Sequence, residues 1–365
     1  MEPNNNINNN NNINKNNNNN NNILNESGGM GGVEEIGPNE ILTPPISKNS
    51  LEKYTDGHYA KLTHGWTHYQ LFEPYKDMEG DGKLKPKLVK NLSESFSQSK
   101  KKSKVVLCLH GLSWWAMAFH PLVQPLIENE YTVLLFDFYG RGRSDSPNEI
   151  AYTLDILLNQ AIDLLDHLNI DNIYLVGYSM GGAVATLFAA THPQRLIKVV
   201  GLGPAIVPVP VPLIGRLVTM PYIGIFIFRF FGAQTMLKRV ENERFSNDIS
   251  DYSSIEPSVI DDLVEKTKWM INVKPNYLYA FHSTLCNIQF EQGLVHLFPQ
   301  IPKTLPILII LGTKDKVIPF EISINTFKQH FPHTRVESVD CGHSLTLERP
   351  NQVSDLLIQF LKEPL

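Results

Sequence analysis

Ile173-Tyr174-Leu175-Val176-Gly177-Tyr178-Ser179-Met180-Gly181-Gly182 decides the fold. An apolar run without polar alternation ends in G-x-S-x-G, and Val184, Leu187 and Phe188 follow at helical spacing. The pattern predicts a buried strand, a sharp turn and a helix. A serine in such a turn stands above the sheet edge at a helix N-terminus, where amide dipoles favour developing negative charge. Glycines flank it because larger side chains collide there. So short a pattern recurs by chance, and its strand–turn–helix setting is what makes it informative.

Further unalternating apolar runs lie on either side. Val105–Leu109 ends at His110-Gly111, Thr132–Phe136 at Asp137, and Ile307–Leu311 at Gly312, with Ile197–Val200 and Arg335–Val339 as further strands. Leu154, Leu157, Leu158, Ile162, Leu165 and Leu168 recur at helical spacing, and Val353–Leu361 reads as a closing helix after Pro350. The alternation predicts an α/β fold: a mostly parallel sheet with helices on both faces and function at the carboxyl ends of the strands. Tyr59 to Phe72 reads as a β-hairpin turning near Gly65.

A serine hydroxyl needs a base within hydrogen-bond reach, and the base needs a group to fix its tautomer. His343 follows the last expected strand, and Asp315, in Gly312-Thr313-Lys314-Asp315, follows the one before it. The order Ser179, Asp315, His343 is the order of a serine–acid–histidine triad on a sheet of this type. The other position for an acid, Gly201-Leu202-Gly203-Pro204-Ala205, carries no carboxylate. Backbone N–H groups of Met180 and Leu112 are the candidate oxyanion-hole donors, with Ser113, one residue on, as the alternative to Leu112. His110 is expected to hold the oxyanion loop, and Asp137 to shape its own turn. Trp114, Trp115 and Phe119 are candidate acyl-pocket residues, with core packing as the equal alternative. No G-x-x-x-x-G-K-[ST] occurs, which disfavours nucleotide binding.

His110-Gly111-Leu112, Asp137 to Asp145, the serine motif, Gly312 to Pro319 and Cys341-Gly342-His343 together resemble the α/β-hydrolase fold-1 family. The similarity covers about 51–205 and 276–365. It implies an eight-stranded, mostly parallel sheet, no metal or organic cofactor, and catalytic roles for Ser179, Asp315 and His343.

The net charge of −5 gives no reason to expect nucleic-acid binding. Three cysteines without a CxxC pair argue against a disulfide framework and a zinc site, and suit a reducing, cytoplasmic setting. The N-terminal asparagine run lacks the character of a signal peptide and is expected to be a solvated tail, with residues 1–50 as tail and linker. Residues 76–104 carry nine lysines against four acids and read as a solvated surface insertion. About a hundred residues separate the fourth and fifth strands, too many for a structureless loop, so 206–275 is expected to be a helical cap. Prolines and arginines interrupt its apolar opening, which favours a greasy lid with peripheral membrane contact over a spanning helix. The expected activity is hydrolysis of a small-molecule or lipid ester with an apolar acyl group. Acyl transfer by the same triad and a non-enzymatic receptor or scaffold are the rivals.

Overall fold

In the computed structural model the described residues are 44–45, 50–76, 83–89, 104–209, 211, 213–220, 223–288 and 291–365. The asparagine-rich tail and most of the lysine-rich insertion lie outside them.

Nine strands form one sheet: β1 (His58–Leu62), β2 (Gly65–Lys76), β3 (Leu84–Leu88), β4 (Val105–Leu109), β5 (Thr132–Phe136), β6 (Ile173–Tyr178), β7 (Leu196–Leu202), β8 (Ile307–Gly312) and β9 (Arg335–Val339). The order is β1-β2-β5-β4-β6-β7-β8-β9, with β3 also paired to β2. β5, β4, β6, β7, β8 and β9 run parallel to one another, while β2 pairs antiparallel with β1, β3 and β5. The expected hairpin is present, with Leu62 opposite Gly65.

β3, off the main path of the sheet, stands beside the eight expected strands as a ninth. It lies inside the stretch read as a solvated insertion, and its Leu84-Lys85-Pro86-Lys87-Leu88 exposes both lysines while half-burying the other three side chains. That is the period of a one-sided strand, and a proline fits a strand paired along a single edge.

Alternate residues of the central strands enter opposite layers. Leu107 and Leu109 pack with α2 (Leu154–His167) and α3 (Met180–Thr191). Val106 and Cys108 pack with α1 (His120–Glu128) and α11 (Pro350–Lys362). Both faces are covered, so these strands carry no polar alternation.

Between β7 and β8 the chain makes a helical excursion: α4 (Leu213–Thr219), α5 (Ile223–Ile227), a π-helical turn (Phe228–Gly232), α6 (Ala233–Glu243), α7 (Pro257–Asn272) and α8 (Tyr277–Asn287). Helix therefore runs past the expected boundary at 275, because Tyr277, Ala280 and Thr284 bury one stripe of α8. A buried ion network ties α7 to the segment before β1. Lys266 Nζ meets Asp262 Oδ1 at 2.6 Å and Ser50 Oγ at 2.9 Å, and Arg143 pairs with Glu52. Among the described residues, no helix is long and apolar enough to cross a membrane.

Candidate active site

The sheet order reverses at β4. From there β5 lies on one side and β6 on the other, so the loops after β4 and β6 diverge and leave a crevice at their carboxyl ends. Leu112 follows β4 and Ser179 follows β6, which brings the expected oxyanion loop beside the expected nucleophile. Asp315 and His343 follow β8 and β9 on the same edge.

Ser179 sits at φ 53°, ψ −115°, a conformation that L residues seldom adopt. Such strain costs about 1–3 kcal/mol and persists only where the surroundings enforce it. The enforcing contacts are backbone to backbone. A Cβ on Gly177 would stand 2.4 Å from the Gly181 carbonyl oxygen, and one on Gly181 would stand 1.9 Å from that of Leu109. The Ser179 amide donates to Leu202 O at 3.0 Å, which ties the elbow to β7.

The three side chains meet. His343 Nε2 lies 2.9 Å from Ser179 Oγ, and His343 Nδ1 lies 2.7 Å from Asp315 Oδ2. A carboxylate only accepts, so the proton belongs on Nδ1 and Nε2 is left as the acceptor facing the hydroxyl. Asp315 Oδ1 accepts from the amides of Val317 and Ile318 at 2.8 and 2.7 Å, which fixes the carboxylate plane. Tyr178 Oη donates to His343 O at 3.0 Å and holds the histidine loop from below. Ser179 is half-buried, whereas Asp315 and His343 are buried.

Burial by itself pulls the His343 imidazole down. The Asp315 charge and hydrogen bond, with help from Asp248, outweigh it, and the net shift is upward. Asp248 escaped the sequence reading. It sits in the turn after α6, half-buried, and burial raises its carboxyl while the His343 charge pulls it back. Nothing in the local sequence marks it, because only the cap's path brings it to the histidine.

Met180 is the first residue of α3, so its N–H is one of the helix donors without an intrahelical partner. Leu112 is held from two sides. His110, its ring driven down to about 4 by burial and so neutral, donates from Nδ1 to Gly111 O at 2.7 Å; its Nε2 accepts from Phe138 N at 2.9 Å. Arg141, fully buried, donates from Nε to Leu112 O at 3.3 Å and from Nη2 to Thr284 Oγ1 of α8 at 2.7 Å. Asp137 gathers the Ala116 and Arg143 amides and His68 Nδ1 at 2.8–3.0 Å. Burial pushes its carboxyl up, but His68 and these donors hold it below the ordinary range.

All three aromatic candidates are buried in one core layer. Trp115 and Phe119 are buried in the core layer of α1, and Trp115 Nε1 reaches Glu52 Oε1 at 3.3 Å. Trp114 stands edge-on to Phe245, just beyond α6, at 6.0 Å between ring centroids.

Comparison with known proteins identifies the fold family. Residues 104–350 match the model of the alpha/beta hydrolase fold family. The uncharacterized hydrolase YugF of Bacillus subtilis is 26% identical over 71% of this chain and 90% of its own length. The 2-hydroxymuconate semialdehyde hydrolase of Pseudomonas sp. strain CF600 is 25% identical over 69% of this chain and 83% of its own. An esterase from Exiguobacterium antarcticum superimposes with a TM-score of 0.63, at 17% identity over 84% of this chain and all of the other. The protein belongs to the α/β-hydrolase fold family.

Proposed function

We propose that the protein hydrolyses a carboxylic ester through an acyl-enzyme on Ser179. The observation that carries the proposal is the continuous relay Ser179 Oγ, His343, Asp315, with both contacts under 3 Å.

In the first half-reaction Ser179 Oγ attacks the ester carbonyl carbon while its proton passes to His343 Nε2. The carbonyl oxygen takes up the electron pair and is met by the N–H groups of Leu112 and Met180, each worth about 3 kcal/mol of transition-state stabilisation. Collapse breaks the bond to the leaving oxygen, which departs as an alcohol with the proton from His343. Water then gives a proton to Nε2 and attacks the acyl carbon, and the acid leaves as Ser179 recovers its proton. Asp315 orients the imidazole and stabilises the imidazolium. The edge-on contact of Trp114 with Phe245 supports an apolar acyl group as the part of the substrate that meets this side of the site.

A second reading is carbon–carbon bond hydrolysis, favoured by the similarity to a 2-hydroxymuconate semialdehyde hydrolase. It uses the same nucleophile and base. Acyl transfer differs only in the final acceptor, an alcohol or thiol in place of water.

The test is turnover of p-nitrophenyl esters of increasing chain length by wild type and Ser179→Ala, with product analysis in added alcohol. Loss of about a million-fold in kcat in the variant is expected. Equal rates refute the proposal, and ester product in the presence of alcohol moves it to acyl transfer. Cleavage of a vinylogous diketone but of no ester moves it to carbon–carbon hydrolysis.

A further inference from the structure

Large apolar side chains on the cap point outward. Among the described residues, Leu213 is 74% exposed, and Phe226, Phe230 and Phe231 are 60% exposed each, with Met220 and Ile225 also exposed. Most sit on α5 and the π-helical turn, which runs without a break into α6. Phe226 and Phe230, one turn apart, bring their rings to 4.6 Å. The inward face of the same segment is made by Phe228, stacked on Phe281 of α8, and by Gly232. The helix thus has a normal buried stripe and a second apolar face that, among the described residues, is left exposed. Patches of this kind mark interaction sites.

Charge selects the occupant. Residues 213–240 carry Arg216, Arg229, Lys238 and Arg239 and no Asp or Glu, in a chain of net charge −5. Arg216 and Arg239 meet Glu291 and Glu243 from outside that stretch, whereas Arg229 and Lys238 project into solvent. Two copies meeting through this face would set cations against cations. An anionic bilayer surface answers both features: headgroups for the cations, acyl chains for the phenylalanines.

We propose that this face docks the protein peripherally on an anionic phospholipid surface, and that the ester is a lipid drawn from it. The second half rests on the esterase reading; the docking does not. The patch is linked to the site along the chain: α6 follows it, and the turn after α6 sets Phe245 against Trp114 and brings Asp248 to the histidine loop.

The test is co-sedimentation of the full chain carrying Ser179→Ala, so that no lipid is consumed. The vesicles are phosphatidylcholine, alone or with about one-third phosphatidylserine. Binding to the anionic vesicles is expected, falling about tenfold on phosphatidylcholine alone and by a similar factor in Phe226→Ser/Phe230→Ser/Phe231→Ser. Arg229→Glu/Lys238→Glu, which leaves the apolar face intact, should lose the preference for phosphatidylserine. With Ser179 present, both variants should match wild type on dissolved p-nitrophenyl acetate, which reports that they are folded. If the triple variant fails that control, the charge variant decides. Equal sedimentation of variants and parent, or none by the parent, overturns the docking. So does a dimer that forms without vesicles and is lost in the triple variant. Vesicle binding by a wild-type chain that cleaves no ester supports the docking and overturns the esterase reading alone.

Discussion

The main-chain carbonyl of Asp248 accepts a 2.9 Å hydrogen bond from the amide of Ser344, one residue past His343. Ser250 and Asp251 close the same junction, their amides donating to Glu348 Oε2 at 3.1 and 2.9 Å. The turn that ends α6 is therefore joined to the loop of the proposed general base, and it carries a carboxyl that favours the charged imidazole.

Asp248→Asn removes that carboxyl and keeps the backbone contact. His343 then loses one of the influences that raise it, so the acid limb of kcat/KM should move to lower pH while the plateau rate changes little. A pH–rate profile of the two proteins checks this. An unmoved limb means that the Asp248 charge does not reach the base.

His343 also links pH to stability, with a sign opposite to its effect on rate. Its folded pKa lies above the ordinary histidine value, so the proton is bound more tightly in the folded state. The stabilisation is full below the unfolded value of about 6.5 and is lost as pH rises through the folded one. Activity should run the other way, rising as Nε2 loses its proton. Denaturant midpoints of wild type and His343→Gln should therefore diverge more at about pH 5 than at about pH 9.

Gly181 and Gly111 flank the same serine but leave different room. A methyl at 181 meets Leu109 backbone at 1.9 Å, whereas one at 111 lies 3.4 Å from Ser179 Cβ, an ordinary contact. Gly181→Ala should cost more than about 4 kcal/mol or abolish soluble expression, and Gly111→Ala less than about 1 kcal/mol. Urea melts separate the two outcomes.

Arg141 joins the loop after β4 to α8. Burial lowers its guanidinium to about 10, which leaves it charged at neutral pH. Besides Leu112 O and Thr284 Oγ1 it reaches Tyr139 O at 3.2 Å. Arg141→Lys keeps the charge but cannot reproduce that fork, and kcat should fall about tenfold with a smaller change in KM. Arg141→Met should also lower stability by about 3 kcal/mol, since buried acceptors lose their donor.

What the sequence disclosed depended on whether the cause was local. Ser179, Asp315 and His343 lie one, three and four residues past the ends of β6, β8 and β9, so the period of the strands is what made them candidates. Residues joined only by the path of the cap were not legible: Asp248 beside His343, and Thr284 beneath Arg141. β3 was hidden for another reason. Its two lysines dominate five residues, and the half-buried alternation of Leu84, Pro86 and Leu88 shows only once β2 is available to pair with it. An apolar ring looks the same in sequence whether it meets a substrate or the core, so both roles stay open for Trp114, Trp115 and Phe119.

The most direct test of the central claim is the site of a covalent adduct. After reaction with a fluorophosphonate, peptide mass spectrometry of the wild type should find the label on Ser179 and on no other residue. Ser179→Ala, folded by circular dichroism, should take up none. Label on another residue, or equal labelling of the variant, would contradict the assignment of Ser179 as the nucleophile.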